Sequence, residues 1–358
     1  METIRTRSFA RAGLLGNPSD GYFGKTLSFT FTQFGVELVM AESSRIRFQQ
    51  GEVDDATFAS MEEMSRNLRL YGYYGGIRLL KATAKRFFDY CQENGLVLPN
   101  RNFSVEYKIN IPRLVGLSGS SAICSAMLKA LMRFYAVEIP LEVQPTICLE
   151  AERDELGINC GFQDRVIHIY NGLVFMDFEK SFVESHNYGR YERLNDETSK
   201  RLNLYIAYDA NRAEESGKAH KKVKRLFEEK NADVVAAMSE FADLAQQGRD
   251  ILVAPNLEPA TRNLKLASLI NANFDLRDKI FNVAEENRHM VMTARRCGAS
   301  AKFAGSGGAI VGTYEDAEQF ERLKTALKTI GSETFAPTIA TSADETAEIV
   351  GFGNWRNS

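Results

Sequence analysis

The sequence has few of the features that mark membrane, nucleic-acid-binding or low-complexity proteins. It contains no run of about 18 apolar residues, so we expect no membrane-spanning segment and no membrane partner. The formal net charge is only -3 at pH 7, so a nucleic acid is not an expected partner either. We find no internal repeat and no segment of biased composition. These absences favour a globular protein, and 358 residues are enough for two domains with hydrophobic cores.

Cysteine and histidine are also scarce. The sequence has five cysteines, an odd number, and no Cys-x-x-Cys pair, which argues against a disulfide framework and against a zinc site. The N-terminal residues lack the apolar segment of a secretory signal peptide, so we expect reduced, mostly packed thiols in a cytoplasmic protein. The four histidines have no metal-ligand spacing, and each is expected to pack in the core or on the surface: His168, His186, His220 and His289.

What the sequence does contain is a glycine- and serine-rich loop at residues 112–122, which reads Pro-Arg-Leu-Val-Gly-Leu-Ser-Gly-Ser-Ser-Ala. Residues 103–111 alternate like a strand, and residues 122–135 carry apolar side chains at helical spacing. Small residues let a backbone approach a ligand closely, and the unpaired N–H groups of a helix N-terminus favour phosphate. The hydroxyls of Ser120 and Ser121 can contact phosphate oxygens or Mg²⁺. For this loop alone, a serine N-cap after a flexible turn is the stronger interpretation.

Other segments could contribute to the same phosphate site. Residues 11–20 form a turn-rich segment after a predicted strand, with a cation at one end and a carboxylate at the other. Residues 21–26, Gly-Tyr-Phe-Gly-Lys-Thr, resemble part of the P-loop motif of nucleotide-binding proteins. However, Ser19 stands where that motif needs its first glycine, and a strand follows where it needs a helix. A P-loop is therefore excluded.

Two more segments lie further along the chain. Residues 150–165 predict the end of a helix, then a turn, with Asp164 just before a predicted strand at 166–170. Glu152 and Asp164 can both face a cleft there, where Mg²⁺ takes few protein oxygens together with phosphate and water. Residues 301–309 predict a glycine-rich turn between apolar runs. This turn lacks the strand, Gly-x-Gly-x-x-Gly and helix order of dinucleotide-binding proteins, which excludes a Rossmann oxidoreductase.

Strands and helices are interleaved without a regular βαβ alternation, which predicts the α+β class. Strands are predicted at residues 3–10, 26–32, 34–40, 103–111, 166–170, 173–178 and 202–208. Helices are predicted at residues 55–68, 74–94, 122–135, 141–156, 216–229, 231–247, 258–286, 287–297 and 315–329. The pair Asn171-Gly172 is predicted to form a turn between two strands. A polar stretch at 187–199 is the expected boundary between a domain at 1–195 and a second domain at 196–358.

Together and in this order, these segments resemble the motifs of the GHMP small-molecule kinases. The loop resembles the family pattern Pro-x-x-x-Gly-Leu-x-x-Ser-Ser-Ala, with one additional small residue at Ser118-Gly119. A second departure is Asn17, where sugar kinases of the family often carry an acidic residue. Within the family, the chain is similar to the glucuronokinases. That finer resemblance rests on residues 11–26, 110–122, 156–166, 172–177, 216–218 and 302–309.

The resemblance implies a fold and a reaction. The implied fold has an α+β N-terminal domain and a ferredoxin-like C-terminal domain, with the active site between them. The implied reaction uses ATP and Mg²⁺ and moves the γ-phosphoryl group to the anomeric hydroxyl of D-glucuronate. A small sugar acid and ATP are therefore the expected partners, and no oligomeric state is predicted. The alternatives are a kinase for galacturonate, galactose or a heptose phosphate, and a non-catalytic protein of this fold that binds a sugar or nucleotide.

The resemblance also implies roles for particular residues. Asp164 would orient or deprotonate the attacking hydroxyl, with Arg11 beside it, and Ser121 and Glu152 would hold Mg²⁺. Backbone N–H groups of the loop would hold the triphosphate, and this loop comprises Gly116, Leu117, Ser118, Gly119, Ser120 and Ser121. Substrate contacts are implied for Asn17, Asp20, Lys25, Asp164, Lys218, Gly305, Ser306 and Gly307.

A uronate also needs a cation that binds its carboxylate, and Arg or Lys is the physical expectation. The candidates in the matching segments are Arg11, Lys25, Arg113, Arg165 and Lys218. Among them we expect Lys25 or Lys218 to bind the carboxylate, because both lie in segments that resemble the family beside the substrate loop, which comprises residues 13–24.

Overall fold

The computed structural model describes residues 3–49, 75–209, 217–281, 283–344 and 347–350, with no side-chain description at 217–221 and 347–350. The helix predicted at 55–68 lies outside these residues. The strands within them are β1 (Thr3–Leu15), β2 (Lys25–Ser43), β3 (Arg47–Phe48), β4 (Asn102–Ile109), β5 (Leu173–Asp177), β6 (Arg190–Arg193), β7 (Leu204–Tyr208), β8 (Lys302–Phe303), β9 (Ala309–Thr313), β10 (Glu333–Phe335) and β11 (Ala347–Val350).

The helices of the described residues alternate irregularly with these strands. They are α1 (Gly76–Glu93), α2 (Gly119–Tyr135), α3 (Gln144–Glu150), α4 (Gln163–Tyr170), α5 (Lys180–His186), α6 (Asp196–Ser199), α7 (Gly217–Glu228), α8 (Ala232–Val253), α9 (Pro259–Ile280), α10 (Glu285–Arg296) and α11 (Ala317–Lys328). A π-helical turn, Ala151–Glu155, continues α3, and a 3₁₀ turn, Ser19–Tyr22, joins β1 to β2. No helix in the described part of the chain combines the length and apolar character that crossing a membrane requires.

The first sheet has seven strands and is centred on the antiparallel pair β1 and β2. The strands predicted at 26–32 and 34–40 form the single strand β2, because its pairing with β1 continues across a register shift between Phe9 and Ala10. Every residue of β1 from Ala10 to Leu15 is buried. The helix α2 packs on this sheet, and so do α8 and α9 from the C-terminal half. The end of β1 therefore lies between the two halves of the chain.

The second sheet has four strands in the order β10-β7-β9-β8, and all its pairs are antiparallel. Its core includes large buried side chains from the sheet and from α8, α9 and α11, among them Tyr205, Phe241, Phe274, Phe303 and Leu323. The α+β expectation is confirmed. The strand β11 returns to the first sheet and pairs with β1, so the last described residues of the chain complete the N-terminal sheet. The domain boundary at residues 195 and 196 stays a prediction.

One predicted strand is wrong. Residues 166–170 belong to the helix α4, although Val166, Ile167 and Ile169 are β-branched residues that favour strands. Tertiary packing overrides that preference, because all three side chains are buried in the core. The pair Asn171-Gly172 accordingly links a helix to β5 instead of joining two strands. Asn171 and Gly172 have φ values of +56° and +84°, and positive φ values at asparagine and glycine are typical of residues that follow the end of a helix.

Candidate active site

Two glycine-rich loops from distant parts of the chain meet beside the end of β1. The guanidinium of Arg11 connects them, since its Nη1 donates hydrogen bonds to the carbonyl oxygens of Gly116 (2.5 Å) and Ala304 (3.0 Å). A Cβ atom at Gly305 would collide with the Gly116 carbonyl oxygen, so the loops can approach this closely only with glycine there. The first-half loop at 112–122 and the glycine turn at 301–309 therefore share one wall.

The same arginine holds Asp164 in a bidentate ion pair. Nε of Arg11 donates to Oδ1 of Asp164 at 2.7 Å, and Nη2 donates to Oδ2 at 2.8 Å. Arg11 is buried and Asp164 is partly exposed. Burial alone would raise the pKa of the Asp164 carboxyl, but the Arg11 guanidinium outweighs that effect and holds the pKa well below its usual range. The carboxylate is therefore ionised at any physiological pH. It lies in the first turn of α4, not at a strand entrance.

A second carboxylate, Asp20, faces the same space, and its pKa is raised, whereas that of Asp164 is lowered. Its Oδ2 accepts a hydrogen bond from the Gln163 backbone N–H at 3.1 Å, and Gly161 packs so closely that a Cβ there would collide with the carboxylate. Burial and the nearby charge of Asp164 raise the pKa of Asp20 to about 6. Two neighbouring carboxylates thus differ in charge over the mildly acidic range.

The glycine- and serine-rich loop at 112–122, which we call the phosphate loop, ends in a helix N-terminus that is open to the site. The helix α2 begins at Gly119, and the first hydrogen bond into it is donated by the Ala122 N–H to the Ser118 carbonyl. The N–H groups of Gly119, Ser120 and Ser121 therefore have no partner within the helix, as at every helix start. The geometry fits the anion site predicted for this loop.

Ser118 holds an uncommon conformation that a buried histidine supports. Its φ is +64°, a region that L residues with a Cβ seldom adopt. Nε2 of His168 lies 3.0 Å from the Ser118 hydroxyl and 3.1 Å from its carbonyl oxygen, and Nδ1 lies 3.4 Å from the Ser8 hydroxyl. Burial lowers the pKa of His168 to about 3, so the ring is neutral. Of the two expectations for the histidines, core or surface packing, His168 follows the first, and no signal in the sequence indicates its contact with the phosphate loop.

Ser121 and Glu152 lie together behind the loop. The Ser121 hydroxyl donates to Oε2 of Glu152 at 2.8 Å, and Nε of Arg165 donates to the same oxygen at 2.6 Å. Glu152 is fully buried, and its Oε1 has no hydrogen-bond partner among the described residues. A hydroxyl beside a carboxylate oxygen that lacks a partner is a donor set suited to Mg²⁺. The π-helical turn that carries Glu152 places it there.

A cavity of about 370 Å³ opens between these groups. Of the residues predicted from sequence, those that line it are Arg11, Asn17, Asp20, Gly116, Ser118, Ser120, Asp164, Arg165, Gly305 and Ser306. The predicted residues that lie outside its lining are Arg113, Leu117, Gly119, Ser121, Glu152, Gly307 and Lys25. Lys218 lies in α7, and its side chain is outside the described part of the structure. Residues in the lining that the sequence reasoning missed include Tyr22, Gln163, Lys224 and Arg277.

A buried lysine, also missed from the sequence, fixes Asn17. Nζ of Lys302 donates to Asn17 Oδ1 at 2.6 Å, to the Gly13 carbonyl at 2.7 Å and to the Phe303 carbonyl at 2.8 Å. Burial lowers the pKa of Lys302 far below its usual range, and the positive charges of Arg277 and Arg11 add to the effect. Since Oδ1 of Asn17 accepts this bond from Lys302, the amide nitrogen is the group that Asn17 can offer a ligand.

Lys25, the lysine beside the substrate loop that was predicted to bind the substrate carboxylate, already has partners in the protein. Nζ of Lys25 donates to Gln246 Oε1 at 2.9 Å and lies 3.6 Å from an oxygen of Asp177. Of the other candidates, Arg113 lies outside the cavity lining, whereas Arg11 and Arg165 line it but bind the carboxylates of Asp164 and Glu152.

With this geometry in view, comparison with known proteins identifies the family. Residues 78–172 match the family described as GHMP kinases N terminal domain. The chain is 42% identical over 314 residues to "Glucuronokinase 1" of Arabidopsis thaliana, covering 86% of this chain and 84% of that protein. It is 43% identical over 312 residues to "Probable glucuronokinase 2" of the same plant, covering 85% and 82%. The chain belongs to the GHMP kinase family. Its similarity to the two plant proteins places it in the glucuronokinase group of that family.

Solved structures of GHMP kinases share the fold at low sequence identity. The Lactococcus lactis galactokinase complexed with galactose gives a TM-score of 0.73 at 14% identity, covering 94% of this chain and 93% of that one. The Methanococcus jannaschii mevalonate kinase gives 0.66 at 16% identity, covering 94% and 98%. These likenesses confirm the expected GHMP kinase architecture. The family match at 78–172 includes Asp164 and Glu152, whereas Arg11, Asp20 and Gly305 lie outside it.

Proposed function

We propose that this chain is an ATP-dependent sugar-acid kinase that transfers the γ-phosphoryl group to the anomeric hydroxyl of D-glucuronate, giving D-glucuronate 1-phosphate. The observation that carries the proposal is the Arg11–Asp164 ion pair. Both residues line the cavity, and the phosphate loop forms part of the same lining. Membership of the glucuronokinase group supports the choice of sugar acid. Phosphoryl transfer depends mainly on positioning and on neutralising charge, and this cavity supplies both.

The phosphate loop would hold the triphosphate of ATP. The N–H groups of Gly119, Ser120 and Ser121 are the helix donors available to phosphate oxygens, and the positive end of the α2 dipole reinforces them. Ser121 and Glu152 would hold Mg²⁺, which when bound offsets negative charge on the phosphate oxygens. The Glu152 oxygen that lacks a partner is the group on this chain that supports that assignment.

Asp164 would bind and orient the attacking hydroxyl. Its low pKa makes it a weak proton acceptor, so we assign it chiefly to accepting a hydrogen bond from the anomeric hydroxyl. A loose phosphoryl-transfer transition state needs little charge on the nucleophile beforehand, so the proton can pass to Asp164 as the new O–P bond forms. Arg11 keeps Asp164 ionised and fixes both of its oxygens. Asp20 and the Asn17 amide nitrogen would bind other sugar hydroxyls.

An ADP-release assay tests the function directly. The enzyme is incubated with Mg·ATP and one of D-glucuronate, D-galacturonate, D-galactose, D-glucose or mevalonate, and the product is identified by ³¹P NMR. We expect turnover selective for D-glucuronate and a phosphate resonance coupled to the anomeric proton. Selective turnover of another sugar would overturn the substrate assignment. Bound ATP without turnover on any sugar would contradict the kinase assignment and favour the non-catalytic alternative.

A further inference from the structure

The cations around the cavity differ in what they already bind. Two guanidinium groups are engaged by carboxylates, since Arg11 holds Asp164 and Arg165 holds Glu152. A third, on Arg277, is buried and donates to the carbonyl oxygens of Gly305 (3.0 Å) and Ser306 (3.1 Å). Arg277 therefore supports the glycine turn that forms one wall, because its Nη1 and Nη2 both donate to backbone carbonyl oxygens of that turn.

Lys224 is the exception among these lining cations. It is exposed on α7, and no carboxylate or other acceptor in the described part of the chain lies within bonding distance of its Nζ. Because no described residue holds this ammonium group by a hydrogen bond or ion pair, it can bind an acidic ligand.

The helix that carries Lys224 is fixed against the substrate loop. Phe227, one turn further along α7, packs edge-on against Tyr22 with ring centroids 4.8 Å apart. Residues three apart share a helix face, so Lys224 and Phe227 present the same side of α7. Val223 is buried in the core of the second sheet, so the helix also packs against that core. Lys224 is thereby placed on the side of the cavity that carries Tyr22 and the 3₁₀ turn with Asp20.

A uronate brings a third carboxylate into a cavity that already contains Asp20 and Asp164. Without a cation, that carboxylate would lose its hydration and meet two like charges. We propose that Lys224 binds the carboxylate of the sugar acid and so determines the preference for a uronate over a neutral sugar. This inference rests on the proposed function. It replaces Lys25, which lies outside the cavity lining and is engaged by Gln246 and Asp177.

Binding measurements with a matched pair of ligands test this role. D-Glucuronate and D-glucuronamide differ only in a carboxylate against a neutral amide, and both are titrated by calorimetry into the full-length wild-type protein and Lys224→Met. For the wild type we expect glucuronate to bind about tenfold or more tightly than the amide, since a charge-assisted hydrogen bond has about that effect. For Lys224→Met we expect the affinity ratio to fall to about one, with the amide affinity nearly unchanged. Thermal unfolding of the same samples confirms folding.

Lys222→Met is the control. Lys222 is also an exposed lysine of α7, but it does not line the cavity, so its variant should keep the wild-type affinity ratio. Lys224→Arg should keep a preference for glucuronate, because the charge remains. A Lys224→Met protein that keeps the wild-type ratio would overturn the role of Lys224. A Lys224→Met protein with a raised KM for ATP and an unchanged ratio would assign the lysine to phosphate instead. A wild-type protein that binds neither ligand would refute the proposed substrate itself.

Discussion

The two sides of the cavity are built differently. On the side of Arg11, Asp164 and the phosphate loop, short hydrogen bonds hold each charged group. The single guanidinium of Arg11 donates to Asp164 and to the backbone carbonyl oxygens of Gly116 and Ala304. On the side of Tyr22 and α7, the charge of Lys224 stands exposed and without a protein counter-ion in the described residues. On the first side, the protein's own hydrogen bonds fix the charged groups before a ligand binds. On the second side, the ammonium group of Lys224 is available to a ligand.

This difference matches the division of labour that a sugar kinase needs. Reaction chemistry requires fixed geometry, because groups that reorganise during the reaction contribute less to the transition state. Recognition of a particular sugar requires groups whose charge the ligand itself completes. Variants of the first side should therefore lower turnover, whereas variants of the second should change affinity and selectivity.

Asp164→Asn should have the largest effect. The amide keeps an acceptor near Arg11 but loses the negative charge that orients the hydroxyl and receives its proton. We expect kcat to fall by about 10³-fold while the affinity for ATP changes less than about twofold. Steady-state ADP release and nucleotide titration measure the two quantities. Asp177→Asn is the matched control, because this acid lies outside the cavity and should keep nearly full turnover. Near wild-type turnover of Asp164→Asn would remove Asp164 from its assigned role.

Ser121→Ala should have the next largest effect and act through Mg²⁺. The variant removes the hydroxyl beside Glu152, one of two protein groups assigned to the metal. We expect the Mg²⁺ concentration for half-maximal activity to rise by about tenfold, the scale found for groups around metal sites. Ser125→Ala, which deletes another buried hydroxyl of α2, should lower stability without this shift. An unchanged Mg²⁺ dependence in Ser121→Ala would contradict the assignment of Ser121 as a Mg²⁺ ligand.

The same contrast explains what the sequence could predict. The first side of the cavity comes from short contiguous motifs, so Arg11, Asp164 and the phosphate loop could be recognised from residue order, and they do meet. The other side depends on tertiary placement. Lys224 and Arg277 come from helices far along the chain from the substrate loop, Gly217–Glu228 and Pro259–Ile280, whose pattern indicates only amphipathic or mixed helices. Likewise, the helix at 163–170 could not be read from local propensity, because packing decides it.

Asp20→Asn should sharpen the comparison through pH. The pKa of Asp20 is raised to about 6, so this acid loses its proton as the pH rises from 5 to 7, whereas Asp164 stays ionised throughout. If ionised Asp20 accepts a sugar hydroxyl, kcat/KM for the sugar should rise several-fold through this range, since a charged acceptor binds more strongly. In Asp20→Asn that rise should disappear. An identical pH profile in both proteins would contradict the assignment of Asp20.

Asp20 also has a stability consequence of opposite sign to that of a typical ion-paired acid. Because its pKa is higher in the folded protein, the folded state binds more protons between about pH 4 and 6, so this group lowers stability as the pH rises through that window. Asp20→Asn should therefore be more stable than the wild type at pH 7, by about 1–3 kcal/mol. Urea unfolding at pH 4 and pH 7 measures the difference, which should shrink at pH 4.

His168→Gln should have the smallest effect on turnover, since the residue acts only through Ser118. Glutamine can still donate to the Ser118 carbonyl, so we expect KM for ATP to rise by a few-fold with kcat little changed.

The pH dependence of the free energy of unfolding tests the same buried histidine. The pKa of His168 is lowered to about 3, so the unfolded chain takes up a proton below about pH 6.5 that the folded protein does not, and stability falls as the pH drops towards 3. Replacing His168 should reduce that acid-side loss. If the variant instead kept the wild-type slope between pH 6.5 and pH 4, the histidine would not be the buried neutral ring that supports the phosphate loop.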